Sequence, residues 1–244
     1  MDKSVIAGDL EVRNLVLNGL QWDDRQALEP NFQFVSLASG DILYEPGYPV
    51  DWVYFPNTAV LSVVTVMADG RTVESDTVGY ESLVGGLNAL AATQTVTRTF
   101  TQIPGTAIRI AAVRLRRRAD ESAHLRRLLV RHAQANLAQA HQSVACNALH
   151  EVGQRLCRWL LMSHDRTARE EVWLTQQYLA TMLGVQRTTV TESLRELAGA
   201  GLIRQGRGCI HILDRARIER VVCECYDTVR SNLEQLIGEQ PSNG

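Results

Sequence analysis

Turn-forming residues interrupt the chain every few positions from Phe32 to Ile110 and then stop, so that Leu115 to Ser143 contains neither Gly nor Pro. A polypeptide punctuated this way must change from short strands to long helix. The turn signals are Ser39-Gly40-Asp41, Glu45-Pro46-Gly47, Pro56-Asn57-Thr58, Asp69-Gly70, Gly79 and Pro104-Gly105. The runs between them, such as Trp52 to Phe55, Val60 to Val66 and Val96 to Phe100, are rich in the β-branched and aromatic residues that strands favour. Asp69-Gly70 between two such runs predicts a hairpin, since Gly accepts the positive φ of a tight turn. Strands at this spacing make a small all-β sandwich or barrel.

The unpunctuated stretch from about Leu115 predicts one long helix. Along it Val130, Ala133, Leu137, Ala140, Val144 and Ala148 recur at steps of three and four, a narrow apolar stripe bordered by Arg, Gln and Asn. Such a stripe can pack on the chain's own β domain. Its small and aliphatic residues suit close approach to an identical helix better, so a homodimer seam is the favoured reading. A further helix spans about Glu151 to His164 and carries Trp159 on its apolar face.

The stretch from Trp173 to Leu197 is the most informative. Thr175 is placed to cap a helix with Leu179, Met182 and Leu183 inside, Gly184 supplies a left-handed turn, and a second helix starts near Gln186 with Val190, Leu194 and Leu197 inward. Ala198 to Ile203 then reads as a loop, and Arg204 to Leu213 as a two-stranded hairpin. The pattern is a winged helix-turn-helix. Gln186, Arg187, Thr188, Thr191 and Glu192 fall on the outward, N-terminal side of the second helix, where short polar and Arg side chains meet base edges. The candidate DNA-binding set is Thr175, Gln176, Gln186, Arg187, Thr188, Thr189, Thr191, Glu192, Arg195 and the wing residue Arg207.

Composition narrows the alternatives. A chain of 244 residues has room for two domains with buried cores. Lys3 is its only lysine, so a DNA surface must be built from arginines. Residues 1–113 carry 6 basic against 13 acidic side chains, whereas residues 114–170 carry 11 against 5. All five cysteines and all six histidines lie after residue 120. A cupin-like oxygenase on the β domain, which needs two His and a carboxylate there, is excluded, and no enzymatic activity is expected. The odd cysteine count reads as reduced thiols. Met1 to Trp22 lacks the layout of a secretory signal and no run is long enough to span a membrane, which predicts a cytoplasmic protein without a membrane partner.

Taken in order, β domain, long helix and winged helix-turn-helix resemble the CRP/FNR superfamily of bacterial transcription regulators over nearly the full length. The likeness rests on Ser39 to Gly47, similar to the family's Gly-Asp-x-Leu-x-x-x-Gly, on Trp52 to Phe55, Asp69-Gly70-Arg71 and Gly79 to Gly85, and on Leu174 to Leu197 with the wing after Ile203. It implies an α+β fold: a β-roll or jelly-roll sensor domain of cyclic-nucleotide-binding type over 1–114, a dimerisation helix over 115–150 and a winged helix-turn-helix over 151–244. It further implies a homodimer on a double-stranded operator, with RNA polymerase as another partner, under control of an effector.

Departures from the family pattern bear on that effector. Cyclic-AMP-binding members hold the ligand with a Gly-Glu pair and a later Arg-Ser, but the matching stretch here, Gly85 to Thr95, has neither acid nor Arg. Gly86 and Gln94 stand where the Glu and Arg belong, so a cyclic phosphate lacks its charge-assisted partner. No Cys precedes Cys146, which leaves no ligands for the N-terminal iron–sulfur centre of oxygen-sensing members. No cofactor is assigned. Gly85, Gly86, Asn88, Thr93, Gln94 and Thr95 either line a polar pocket for a nucleotide-type effector, for instance a cyclic dinucleotide gripped by Arg71 or Arg98, or form a degenerate loop that binds nothing. The alternative function is a signalling module that binds such a ligand without reading DNA. Cys223 and Cys225, lacking a nearby His or second pair in sequence, read as plain buried or surface thiols, with no metal site expected.

Overall fold

A computed structural model describes residues 12–167 and 171–238. They form two compact units: residues 12–63 and 76–137 with 235–238, and residues 64–75 with 138–167 and 171–234. Helices α1 (Leu15–Asn18) and α2 (Trp22–Leu28) and a 3-10 turn at Glu29–Asn31 precede the strands. Asn14 explains this entry. Its buried amide accepts from the Val16 and Leu17 N–H groups at 3.1 and 3.2 Å and donates to the Pro56 and Ser82 carbonyls, both at 2.9 Å, so every polar atom it buries is paired.

Strands β1 (Gln33–Leu37), β2 (Ile42–Tyr44), β3 (Trp52–Pro56), β4 (Val60–Val66) and β5 (Thr72–Val78) follow, then α3 (Gly86–Ala91), β6 (Arg98–Ile103) and β7 (Gly105–Ala111). They build two sheets, β1-β7-β3 and β2-β6-β4-β5. Antiparallel register sets Val53 against Ile110 and Phe55 against Ile108. Side-chain alternation then divides β3 between two cores. Val53 and Phe55 join Val16, Leu17, Ile108, Ile110, Leu115, Leu125 and Leu129 in one. Tyr54 joins Tyr44, Val50, Leu61, Val78 and Ala107 in the other. Burial on both faces is why Trp52 to Phe55 reads as an unbroken apolar run. Gly105 is required by close approach: a Cβ there would stand 2.5 Å from the Ala59 backbone nitrogen.

The predicted Asp69-Gly70 hairpin is present, with Gly70 at φ +83 and Met67 N–H bonded to the Arg71 carbonyl at 2.8 Å. The first domain is not all-β, since α1 to α3 lie within it. The run Val96 to Phe100 begins as strand only at Arg98, because the Thr95 hydroxyl folds the chain locally onto the Thr97 backbone.

The single long helix expected from Leu115 is two, α4 (Ala112–Glu121) and α5 (Ala123–Leu149). Ser122 breaks them with extended backbone and caps the new start, its Oγ accepting from Leu125 N–H at 3.1 Å. The same hydroxyl donates to buried Asp24 at 2.9 Å, and Arg118 Nε donates to the other Asp24 oxygen at 2.7 Å. A carboxylate nearly a hundred residues away thus interrupts a helix that local sequence would continue.

The remaining elements are α6 (Val152–Thr167), β8 (Glu171–Trp173), α7 (Gln176–Leu183), α8 (Arg187–Gly199), β9 (Ile203–Gln205), β10 (Cys209–Ile212), α9 (Arg215–Val221) and α10 (Cys225–Gly238). Trp159 is buried on α6 as predicted, and its indole donates to Glu74 at 3.1 Å. The wing is a three-stranded sheet, β8-β10-β9, where two strands were expected. Among the described residues no helix is long and apolar enough to cross a membrane.

Candidate nucleic-acid interface

Local chemistry positions the helix pair. Thr175 Oγ1 accepts from Tyr178 N–H at 3.1 Å and so starts α7. At its end Gly184 has φ +64, and the N–H groups of Gly184 and Val185 return to the Thr181 and Ala180 carbonyls. Leu179, Ala180, Met182 and Leu183 of α7 are buried, as are Val190, Ser193, Leu194 and Leu197 of α8.

That packing turns the other face of α8 outward. Gln186, Arg187, Thr188, Glu192 and Arg195 are exposed, Thr189 and Thr191 half-buried. Among the described residues none of Arg187, Glu192, Arg195 and Arg207 is in an ion pair, so Glu192 and Arg195 do not neutralise each other. Thr175 is exposed and Gln176 half-buried. Gln176 joins the parts: its Oε1 lies 2.8 Å from the Thr191 hydroxyl and its Nε2 donates to Gln205 Oε1 of β9 at 3.2 Å. The single Thr191 proton is shared between that acceptor and the Arg187 carbonyl at 2.9 Å. A groove of about 390 Å³ lies between helix pair and wing, lined by Thr175, Gln176, Arg187, Leu194, Gln205 and Cys209 among others. Arg207 is exposed at the wing tip, between Gly206 and Gly208. Arg204, exposed on β9, adds a cation that the sequence reading passed over; its signal was its place just before the wing turn.

Residues 154–221, which span the helix pair and the wing, match the model of the Crp-like helix-turn-helix domain. The chain carries a Crp-like helix-turn-helix domain. The transcriptional regulator SdrP of Thermus thermophilus is 32% identical over 92 residues, covering 35% of this chain and 46% of that protein, so the chain spans about half the length of this curated relative. The whole architecture has solved counterparts. A regulator of the CRP/FNR family from Eubacterium rectale superposes with TM-score 0.69 at 17% identity, covering 86% of this chain and 99% of its own. The c-di-GMP responsive regulator CLP of Xanthomonas campestris gives 0.65 at 14% identity, covering 80% and 100%. At these identities the likeness is one of fold: antiparallel sheets, a long helix and a C-terminal Crp-like domain.

The candidate effector residues are less open. Asn88 Nδ2 donates to Thr93 Oγ1 at 3.3 Å and to the Gln94 carbonyl at 2.9 Å, and buried Thr95 bonds to Thr97. Gly85 has φ +84 and packs under Tyr44, while Gly86 opens the six-residue α3. Arg98 is paired with Glu45 at 2.9 Å. Arg71 lies in the other compact unit and is engaged by Asp69, whose carboxyl is held below its usual range by the Arg71 backbone N–H and guanidinium.

On α5 the predicted seam residues face away from the chain. Val130 is 41% exposed, Leu137 56% and Val144 70%, with Ala133 and Ala140 half-buried. The opposite stripe, Leu125, Leu129, His132, Ala135, Gln139, Ser143 and Cys146, is the one the chain buries itself.

One premise of the sequence reading fails in three dimensions. Cys223 and Cys225 do have a neighbouring His and a further thiol, because the fold brings His150 and Cys146 to them. Their separation in sequence hid this.

Proposed function

We propose that this chain is a homodimeric CRP/FNR-type transcription regulator of the cytoplasm, whose α8 reads base edges of a double-stranded operator. The observation that carries the reading is the outward face of α8: Gln186, Arg187, Thr188 and Glu192 are held in the open by a buried underside and braced to the wing through Gln176. Short polar groups and unpaired arginines there suit direct readout in the major groove, with Arg204 and Arg207 of the wing placed for phosphates. In this reading residues 1–114 sense, 115–150 carry the dimer seam through Val130, Ala133, Leu137, Ala140 and Val144, and 151–244 bind DNA. Thr189, Thr191, Arg195, Thr175 and Gln176 complete the interface, RNA polymerase is the further partner, and no reaction is assigned.

The effector is of nucleotide type, and for a cyclic dinucleotide, as for the Xanthomonas regulator, Arg98 is the arginine that shares a compact unit with Gly85 to Thr95. Arg98 must leave Glu45 to take a phosphate. Cyclic AMP leaves operator affinity unchanged.

Selection of binding sites from a random duplex library tests the main claim. The expected result is a near-palindromic site with half-sites about one helical turn apart. Arg187→Ala weakens binding by about 1–3 kcal/mol and relaxes preference at one base pair. Failure to enrich any sequence refutes the reading and leaves a signalling module without DNA readout.

A further inference from the structure

Four side chains that operator reading does not use converge at the end of α5. Cys146 and His150 are four residues apart on its last turns and therefore share a face. Cys223 and Cys225 flank Glu224 where the chain passes from α9 into α10. Their ligand atoms all lie within 4.8 Å of one another. Cys146 Sγ is 3.6 Å from Cys223 Sγ, and Cys225 Sγ is 3.4 Å from His150 Nδ1. The three thiols are buried and none is in a disulfide.

These spacings match one ion. Zinc–sulfur bonds of about 2.3 Å and zinc–nitrogen bonds of about 2.0–2.1 Å, arranged tetrahedrally, put sulfurs about 3.8 Å apart and sulfur about 3.5 Å from nitrogen. Thiolates on different irons of an iron–sulfur cluster stand farther apart than this. The surroundings fit as well. His150 Nε2, turned away from the thiols, is 3.2 Å from Glu224 Oε1, the carboxylate contact that fixes a ligating imidazole in the right tautomer. Gln142 Nε2 donates to Cys225 Sγ at 3.0 Å. Three thiolates and a divalent cation leave one net negative charge. Arg155 and Arg158, which interact electrostatically with Cys146, bring buried guanidinium nitrogens that have no hydrogen-bond partner.

We propose that Cys146, His150, Cys223 and Cys225 bind a single zinc ion as a closed Cys3His site. With four protein ligands and buried sulfurs there is no open position for water, so the ion acts as a clamp tying the last turns of α5 to the start of α10, and not as a Lewis acid. The inference is independent of what α8 reads.

Full-length protein purified with zinc under reducing conditions is expected to carry about one ion per chain by mass spectrometry of the metal. Cobalt(II) in its place should give the intense visible bands of a tetrahedral thiolate site. Chelation should lower the thermal midpoint, and added zinc should restore it. Cys223→Ser and Cys225→Ser should each lose the ion, whereas Cys209→Ser, at a buried thiol outside the cluster, should keep it. Glu224→Gln should retain the cobalt spectrum while weakening affinity about 10–100-fold. Because reconstitution uses the wild-type chain, misfolding of a variant does not blur the answer. Folded, reduced wild type that takes up neither zinc nor cobalt overturns the proposal. So does octahedral cobalt, or iron and sulfide in equal amounts, or an obligatory Cys146–Cys223 disulfide.

Discussion

Replacing Leu137 with Glu should take the dimer apart while leaving the chain folded. Leu137 keeps 56% of its surface exposed within one chain, so covering it against a partner helix gains about 1–1.5 kcal/mol per copy, and about 2–3 kcal/mol for the pair. Glu forfeits that gain. It also brings two carboxylates together in a desolvated seam, each costing several kcal/mol unless the helices separate. The sum exceeds about 4 kcal/mol, which raises the dissociation constant at least a thousandfold or so. Leu137→Ala removes only the apolar part and should weaken the dimer by roughly thirtyfold. Sedimentation velocity across a dilution series reads both, and circular dichroism shows that helix content is kept, since the residue points away from its own core. A Leu137→Glu protein that still dimerises within about tenfold of wild type refutes the seam along Val130, Leu137 and Val144.

Three further outcomes follow from other contacts. Asp24→Ala leaves Arg118 only its longer 3.4 Å contact with Glu121 and frees Ser122; because Arg118 is partly exposed and keeps that partner, the loss should lie near 1–3 kcal/mol in denaturant unfolding, and a loss below about 0.5 would mean that Ser122 breaks the helix unaided. Burial pushes the His132 imidazole down to about 4, so the fold holds it neutral; the stability this represents is intact above about pH 6.5 and falls by up to about 3 kcal/mol as pH drops towards 4, and His132→Leu should flatten that limb of the melting-temperature profile. Glu192 meets no cation of its own chain among the described residues, and a carboxylate can only accept, for instance from cytosine N4, so Glu192→Arg should move the selected operator towards guanine at one base pair and raise non-specific affinity; an identical motif would remove Glu192 from the reading set.

What could be read from the sequence, and what could not, divides by the distance over which each feature is decided. The helix-turn-helix was legible because its instructions are local: Thr175 caps a nitrogen three residues on, and Gly184 takes a φ of +64 that other residues resist. The hairpin at Asp69-Gly70 is of the same kind. The interruption at Ser122 was not legible, since nothing near Glu121 forbids helix and the deciding carboxylate, Asp24, is 98 residues away in sequence. The thiol cluster shows both sides at once. Cys146 and His150 were four apart on a predicted helix, and Cys223 and Cys225 were two apart, so each half was visible as a pair on one face or one bend. Neither half is a site alone, because two ligands do not enclose an ion. What joins them is a contact between residues 77 apart in sequence, and that contact depends on where α10 starts. If the ion is what holds that start in place, the site is also a cause of the fold around it. Removing metal should then loosen α10 while the internal contacts of α7 and α8 remain, and hydrogen exchange along the chain, with and without chelator, separates the two.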